Sequence, residues 1–150
     1  MLTELDDTYF SIKSHSSEEV NAPCWDFVVE KMLKIEQHKH LYDYHNFFIL
    51  CFNDKKKNRH DFIQTVFHNH SGGWTLERRE WYTCDDWTHF IAKMDNDPVT
   101  QELPQIQYLE IVISAFHSFY FNLPWPSGLK WEVYDQFMPE HYKGKTPLPG

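Results

Sequence analysis

Two stretches of the sequence place apolar side chains at the three- and four-residue spacing of an α-helix. The first runs from about residue 24 to residue 38, and Pro23 suits its first turn. The second runs from about residue 105 to residue 121, and Pro124 prevents it from continuing. Because this spacing is the main sequence signal of an amphipathic helix, we predict two helices that each bury one face.

Two shorter stretches also fit helices. Asp85 and Asp86 precede an apolar run that ends at Met94, and acidic residues favour the first turn of a helix. A further short helix is predicted within residues 131–138. Glycine is scarce, at five residues, and regular alternation of apolar and polar residues is weak. We therefore predict a mostly α fold, a compact domain of packed helices.

Residues 42–83 fit either a helix or a strand. Ile63, Thr65 and Phe67 alternate as they would in a strand, but the neighbouring apolar residues fit a helix equally well. A short apolar run does not distinguish the two structures by periodicity alone. An α+β fold is the alternative, with a small hairpin or sheet within residues 42–83, for example a hairpin between residues 60 and 83.

The length of 150 residues is that of one domain with a single core. Residues 1–22 are polar and acidic, and we expect them to form an irregular arm. Residues 23–140 carry the apolar patterns and are expected to form a single globular domain. Residues 141–150 contain two prolines and are expected to form an extended tail.

Acidic residues outnumber basic ones, 22 against 14, which gives a net charge of −8. A protein held on nucleic acid needs a basic surface, so direct contact with nucleic acid is not expected. A negative surface instead favours association with positively charged partners. The N-terminus lacks the features of a signal peptide, and no apolar stretch is long enough to cross a bilayer. We therefore expect a cytoplasmic protein with no membrane partner.

Residues 74–87 are the most interface-like segment of the chain. The segment interleaves tryptophans, acids and two arginines, a mixture that is typical of recognition surfaces. The predicted partner-binding residues are Trp74, Glu77, Glu80, Trp81, Asp85, Asp86 and Trp87. The alternative is that Trp81 and Trp87 belong to the core and that the charges are ordinary solvated surface.

Histidine is the other abundant functional residue type, with ten in the chain. An alternative function is therefore a divalent-metal enzyme of the hydrolase or dioxygenase type. Its ligands would come from His38, His40, His45, His68 and His70. Two histidines that are two residues apart point away from each other on a helix, so such pairs could share a metal only in extended chain. No nucleophile elbow, P-loop or dinucleotide fingerprint is present, and we predict neither a catalytic residue nor a cofactor.

Small size, acidity, a 17% content of aromatic residues and the absence of a catalytic motif occur together in this chain. In these properties it resembles the bacterial immunity proteins that neutralise toxin domains. The resemblance covers composition along the whole chain and assigns no residue. It implies a non-enzymatic protein that binds a basic partner such as a toxin nuclease domain. An acidic nucleic-acid mimic that inhibits a nuclease is a further alternative.

Overall fold

The computed structural model describes residues 7–14, 17–38, 46–68, 72–83, 85–94 and 104–134. These residues form seven strands and two helices. In chain order the elements are β1 (Thr8–Ser14), β2 (Ser17–Asn21), α1 (Trp25–His38), β3 (Asn46–Asp54), β4 (Arg59–Phe67), β5 (Trp74–Trp81), β6 (Trp87–Met94), α2 (Leu109–Phe121) and β7 (Leu129–Val133).

All seven strands belong to one antiparallel sheet with the order β2-β1-β3-β4-β5-β6-β7. The helix α1 lies in the connection from β2 to β3, and α2 lies in the connection from β6 to β7. The prediction of a mostly α fold was therefore wrong. The predicted helices near residues 24–38 and 105–121 are present as α1 and α2, although α2 begins later than expected, at Leu109.

The two shorter predicted helices are strands. The apolar run after Asp85 and Asp86 forms β6, and the stretch expected to form the last helix contributes β7. In β6, residues 88–92 are all buried, so both faces of the strand are covered. A strand that is buried on both faces has a continuous apolar run instead of an alternating one, which explains why its periodicity was misleading.

The N-terminal residues are also more ordered than expected. The described part of the predicted irregular arm contains β1 and β2, which pair with each other, and β1 also pairs with β3. The alternative hairpin between residues 60 and 83 is present as β4 and β5. It forms the centre of the seven-stranded sheet and not a small separate unit. The predicted tail, residues 141–150, lies outside the described residues.

The core lies between the two helices and one face of the sheet, which we call the helix face. Because side chains alternate along a strand, every second residue of each strand points to this face. The sheet contributes Ile12, Phe48, Leu50, Ile63, Phe67, Trp74, Leu76 and Ala92 to the core, and the helices contribute Val28, Met32, Val112, Ala115 and Phe116. Among the described residues, neither helix has the length and apolarity needed to cross a lipid bilayer.

Candidate binding site at one end of the sheet

A cavity of about 570 Å³ opens on the helix face of the sheet, and cavities of this size commonly hold ligands. It lies where β3 ends, β4 begins and β5 ends, below the C-terminal end of α2. Its aromatic wall includes Phe10, Phe52, Phe119, Tyr120 and Trp125. Its charged floor includes Asp61, Arg78 and Glu80, and Arg79 also lines it.

The alternation of the strands places these charged side chains beside the core. Asp61 stands two residues before the buried Ile63 of β4 and therefore shares its face. Arg78 and Glu80 follow Leu76 at the same spacing in β5. The helix α2 ends at Phe121, where Asn122 adopts a left-handed conformation and turns the chain away. The end of the helix face therefore carries charged residues where its middle carries apolar ones.

Arg78 is held in place by three rings and one carboxylate. The guanidinium carbon lies 4.0 Å from the ring centre of Phe90, 5.1 Å from that of Trp125 and 4.9 Å from that of Trp131. Its Nη1 donates to Oε2 of Glu80 at 2.9 Å. Burial lowers the pKa of Arg78, and Glu80 opposes this shift. Arg78 thus compensates the charge of Glu80 and is shielded by the rings.

The negative charge of Asp61 is less well compensated than that of Glu80. Its Oδ1 accepts a hydrogen bond of 2.8 Å from the backbone N–H of Trp81, and its Oδ2 lies 3.8 Å from Nη2 of Arg59. Burial raises the pKa of Asp61, and the nearby charge of Glu80 raises it further, against the opposing effects of the Trp81 hydrogen bond and Arg59. The cavity therefore contains a carboxyl group that is costly to ionise.

Replacing Asp61 by asparagine should raise the free energy of unfolding near neutral pH. The pKa of Asp61 in the folded protein lies above its ordinary value of 3.8, so the folded state binds this proton more tightly than the unfolded state does. The stabilisation from this tighter proton binding is fully present below the ordinary pKa of Asp61. It is lost as pH rises through the pKa of Asp61 in the folded protein. Asparagine is neutral at every pH and keeps an oxygen that can accept from Trp81. Urea denaturation at about pH 4 and about pH 7 measures the difference.

The matched control for this variant is Asp26→Asn, which removes one negative charge from the exposed first turn of α1. It reports the effect of reducing the net negative charge of the chain by one at an exposed position, together with the loss of an acid from a helix N-terminus. We expect the stability gain of Asp61→Asn to grow between the two pH values by more than that of the control. An equal gain at both pH values would show that Asp61 has no raised pKa.

The opposite face of the sheet carries a buried polar network. Nε2 of His89 donates to Oε1 of Glu77 at 2.9 Å, and Nε2 of Gln64 donates to Oε2 of Glu77 at 3.2 Å. Nδ1 of His89 accepts from Nε of Arg79 at 3.3 Å, which assigns the ring proton to Nε2. Both ring nitrogens of His89 are used within the sheet. This arrangement is typical of a structural histidine and not of a general base.

The structure separates the residues that were predicted to form one partner-binding surface. Strand alternation sends Trp74 and Glu80 to the helix face, whereas Glu77 and Trp81 point to the opposite face. Trp74 lies in the core, Glu77 lies in the buried network, and Glu80 lines the cavity. Only four of the predicted residues are brought together near the connection from β5 to β6. We call them the hairpin surface: Trp81, Asp85, Asp86 and Trp87.

The hairpin surface is rigidly supported. Trp81 pairs with Trp87 across the two strands, and their ring centres lie 6.1 Å apart. Thr83 Oγ1 accepts hydrogen bonds from the backbone N–H groups of Asp85 and Asp86 at 3.2 Å and 3.1 Å. These bonds belong to a turn before β6, so the prediction that the two acids stand at the start of a helix was wrong.

Arginines from the sheet also support this surface. The guanidinium of Arg79 lies 3.7 Å from the ring centre of Trp87, and Arg59 donates to the backbone oxygen of Trp81. Both tryptophans are half-buried, whereas Asp85 is exposed. The hairpin surface therefore combines two half-buried tryptophans with an exposed carboxylate beside the hydrogen bonds to Thr83.

Asp61 and Arg78 were not predicted as site residues from the sequence. For Asp61 a signal was available, because it occupies the same alternating series as Ile63, Thr65 and Phe67 and is an acid on an otherwise apolar face. For Arg78 no comparable signal existed. The rings around it come from three separate segments of the chain, and only the folded sheet brings them together.

The alternative metal site falls mostly on residues whose side chains are not described. His40, His45 and His70, and the side chain of His38, lie outside the described part of the chain. His68 is described, and its Nε2 lies 3.2 Å from Oγ1 of Thr75. Within the described residues, no three side chains of histidine, cysteine, aspartate or glutamate are grouped so that they could hold a metal ion.

Comparison with known proteins gives no family for this chain. No family model, no curated protein and no solved structure matches it.

Proposed function

We propose that this chain is a non-enzymatic protein that binds a basic protein partner through the hairpin surface. The observation that carries the proposal is the cross-strand pair of Trp81 and Trp87 beside the exposed carboxylate of Asp85. Tryptophans dominate binding energies at protein interfaces, and a carboxylate at the rim selects for positive charge. The proposal keeps the predicted class of partner and reduces the predicted surface from seven residues to four.

Rigidity supports this role of the hairpin surface. The turn is closed by the two hydrogen bonds to Thr83, and Tyr82 donates from its hydroxyl to Oγ1 of Thr88 at 2.8 Å. A partner would therefore lose little free energy in ordering this surface on binding. A preorganised surface of this kind favours slow dissociation, because its aromatic contacts form without rearrangement.

The net charge of the chain supports a basic partner, but a lysine-rich turn restricts where such a partner can bind. The net charge of −8 steers positively charged proteins towards the chain as a whole. The turn between β3 and β4, however, carries Lys55, Lys56 and Lys57 at the same end of the sheet. Lys56 is paired with Asp7 at 3.1 Å. We therefore place the contact on the side of the sheet end formed by β5 and β6, where Asp85 and Asp86 lie.

The proposed biological role is that of an immunity protein which neutralises a toxin nuclease domain in the bacterial cytoplasm. This part of the proposal rests on the size, acidity and aromatic content of the chain. It requires a one-to-one complex that blocks the toxin without chemical change to either protein. The alternative of a metal enzyme requires ligands among histidines outside the described residues.

Affinity capture from the source cell, followed by native mass spectrometry, tests the proposal. We expect a stoichiometric basic protein with the wild-type chain, and at least about tenfold weaker binding with Asp85→Lys plus Asp86→Lys or with Trp87→Ala. Asp85 is exposed and Asp86 is half-buried, and neither lies within a strand, so this variant should keep the sheet. Thermal denaturation of each variant confirms that the fold is intact.

Matched controls lie at distant positions. Tyr108→Ala removes a ring that is 66% exposed just before α2, and Glu30→Lys reverses an exposed charge on α1. Both should leave partner binding within about twofold of the wild type. If the hairpin variants bind the captured partner as well as these controls do, the hairpin surface is not the contact. A bound divalent metal without any protein partner would favour the metal-enzyme alternative.

A further inference from the structure

Two carboxylates on the cavity floor are more exposed than the arginine that is covered by rings. The side chains of Asp61 and Glu80 are 26% and 29% exposed, whereas that of Arg78 is 15% exposed behind its rings. Phe62 pairs with Arg79, so the preceding Asp61 lies across from Glu80 on the neighbouring strand. A molecule that enters the cavity can therefore reach these carboxylate oxygens more readily than the guanidinium of Arg78.

We propose that this cavity binds an organic cation, a guanidinium or primary ammonium group on a short alkyl chain, whose charged end lies between Asp61 and Glu80. Like charges opposite each other on adjacent strands destabilise a sheet. Arg78 compensates one of the two charges at 2.9 Å, but Arg59 approaches the other only to 3.8 Å. A bound cation would complete the compensation.

The aromatic wall favours an organic cation over a metal ion. Phe10 stacks on Tyr120 with ring centres 4.3 Å apart and contacts Phe52 at 5.0 Å. These rings offer faces and edges to an alkyl chain and can stabilise a cation close to them. Divalent metals need several oxygen ligands at short distance, and the described residues hold no such group of three acidic or other ligating side chains.

The entrance of the cavity is apolar. Leu123 lines the cavity and is about half exposed, and the neighbouring Phe121 is exposed to a similar degree. An alkyl chain that extends from the charged end would pass these side chains. The same geometry admits a free amine or guanidine and the side chain of a lysine or arginine from another protein. Either ligand would place the same cationic group between Asp61 and Glu80. They differ because a protein side chain also requires that its peptide backbone fit at the entrance.

Calorimetric titration of the full chain with butylguanidine and with butylurea tests the proposal. The two probes have nearly the same shape, but only butylguanidine is charged. We expect saturable binding of butylguanidine and binding of butylurea that is at least about tenfold weaker. Acetyl-arginine amide as a third probe distinguishes the sources. Comparable affinity for it supports a protein side chain as the ligand, and exclusion of it with retained butylguanidine binding supports a small molecule.

Variants at the two carboxylates identify the site. Asp61→Asn and Glu80→Gln should each weaken butylguanidine binding by about tenfold, whereas Glu110→Gln, an exposed acid on α2, should leave it unchanged. Asp61→Asn is expected to fold at least as stably as the wild type, so a loss of binding would not reflect unfolding. Equal binding of butylurea, or unchanged binding in both carboxylate variants, would overturn the proposal. These measurements need no protein partner and are independent of the proposed function.

Discussion

Replacing Trp74 by alanine should lower the free energy of unfolding by about 3–5 kcal/mol. Trp74 is 2% exposed and packs its ring against Phe67, with ring centres 5.0 Å apart. Its backbone also exchanges two hydrogen bonds with Ile106, at 2.8 Å and 2.7 Å, which join β5 to the segment before α2. Alanine would leave a large cavity between the sheet and the helices. Urea denaturation of the wild type and the variant measures the loss.

Trp87→Ala is the matched control for this prediction. Trp87 is the same residue type, but it is half-buried on the opposite face and lies under the guanidinium of Arg79. Its loss should cost about 1–2 kcal/mol, because less area returns to water. If Trp74→Ala cost no more than Trp87→Ala, Trp74 would not be part of the core. The predicted role of Trp74 in a binding surface would then have to be reconsidered.

Replacing His89 by leucine should lower the free energy of unfolding by about 3 kcal/mol. His89 is 1% exposed and connects Glu77 to Arg79. Leucine occupies a similar volume but neither donates to the Glu77 carboxylate nor accepts from Arg79. The carboxylate would then stay buried with one hydrogen bond fewer, a situation that costs more than the loss of a neutral contact. Chemical denaturation at neutral pH measures the change.

His60→Leu is the control for the second prediction. His60 lies on the same face at the start of β4, but it is exposed, and its Nδ1 contacts Oδ1 of Asn53 at 2.9 Å. Water can replace this partner, so we expect a loss below about 1 kcal/mol. A similar effect of both histidine variants would mean that the buried network on the opposite face contributes no more than a surface contact.

The two predictions concern Trp74, which was predicted from the sequence to bind a partner, and His89, to which the sequence assigned no role. Trp74 was predicted to contact a partner because it is a tryptophan in a segment rich in charge. The alternation of β5 shows that it shares a face with Leu76, which is fully buried. Composition singled out the segment, but only the strand period distinguishes the residues that face the core from those that face outwards.

The candidate binding site was only partly predictable. Glu80 was predicted as a partner-binding residue from the local mixture of rings and charges, and in the structure it lines the cavity. The cavity needed Asp61 from β4, Arg78 from β5 and rings from the segments around Trp125 and Trp131. These positions are far apart in sequence, and strand pairing brings them together. A local pattern contains no information on which strands become neighbours.

The helices α1 and α2 could be predicted from the sequence, because amphipathic spacing is a local property. The same spacing is expected in any fold that buries one face of the helix. The same holds for the acidic net charge. The sheet could not be read in this way, since β6 is buried on both faces and its apolar run fits a helix as well as a strand. Tertiary structure decided its state by supplying β5 and β7 as hydrogen-bonding neighbours. Tertiary structure also decided where the cavity lies. Alternation places charged side chains on the helix face, but they line a cavity only at the end of the sheet where α2 ends.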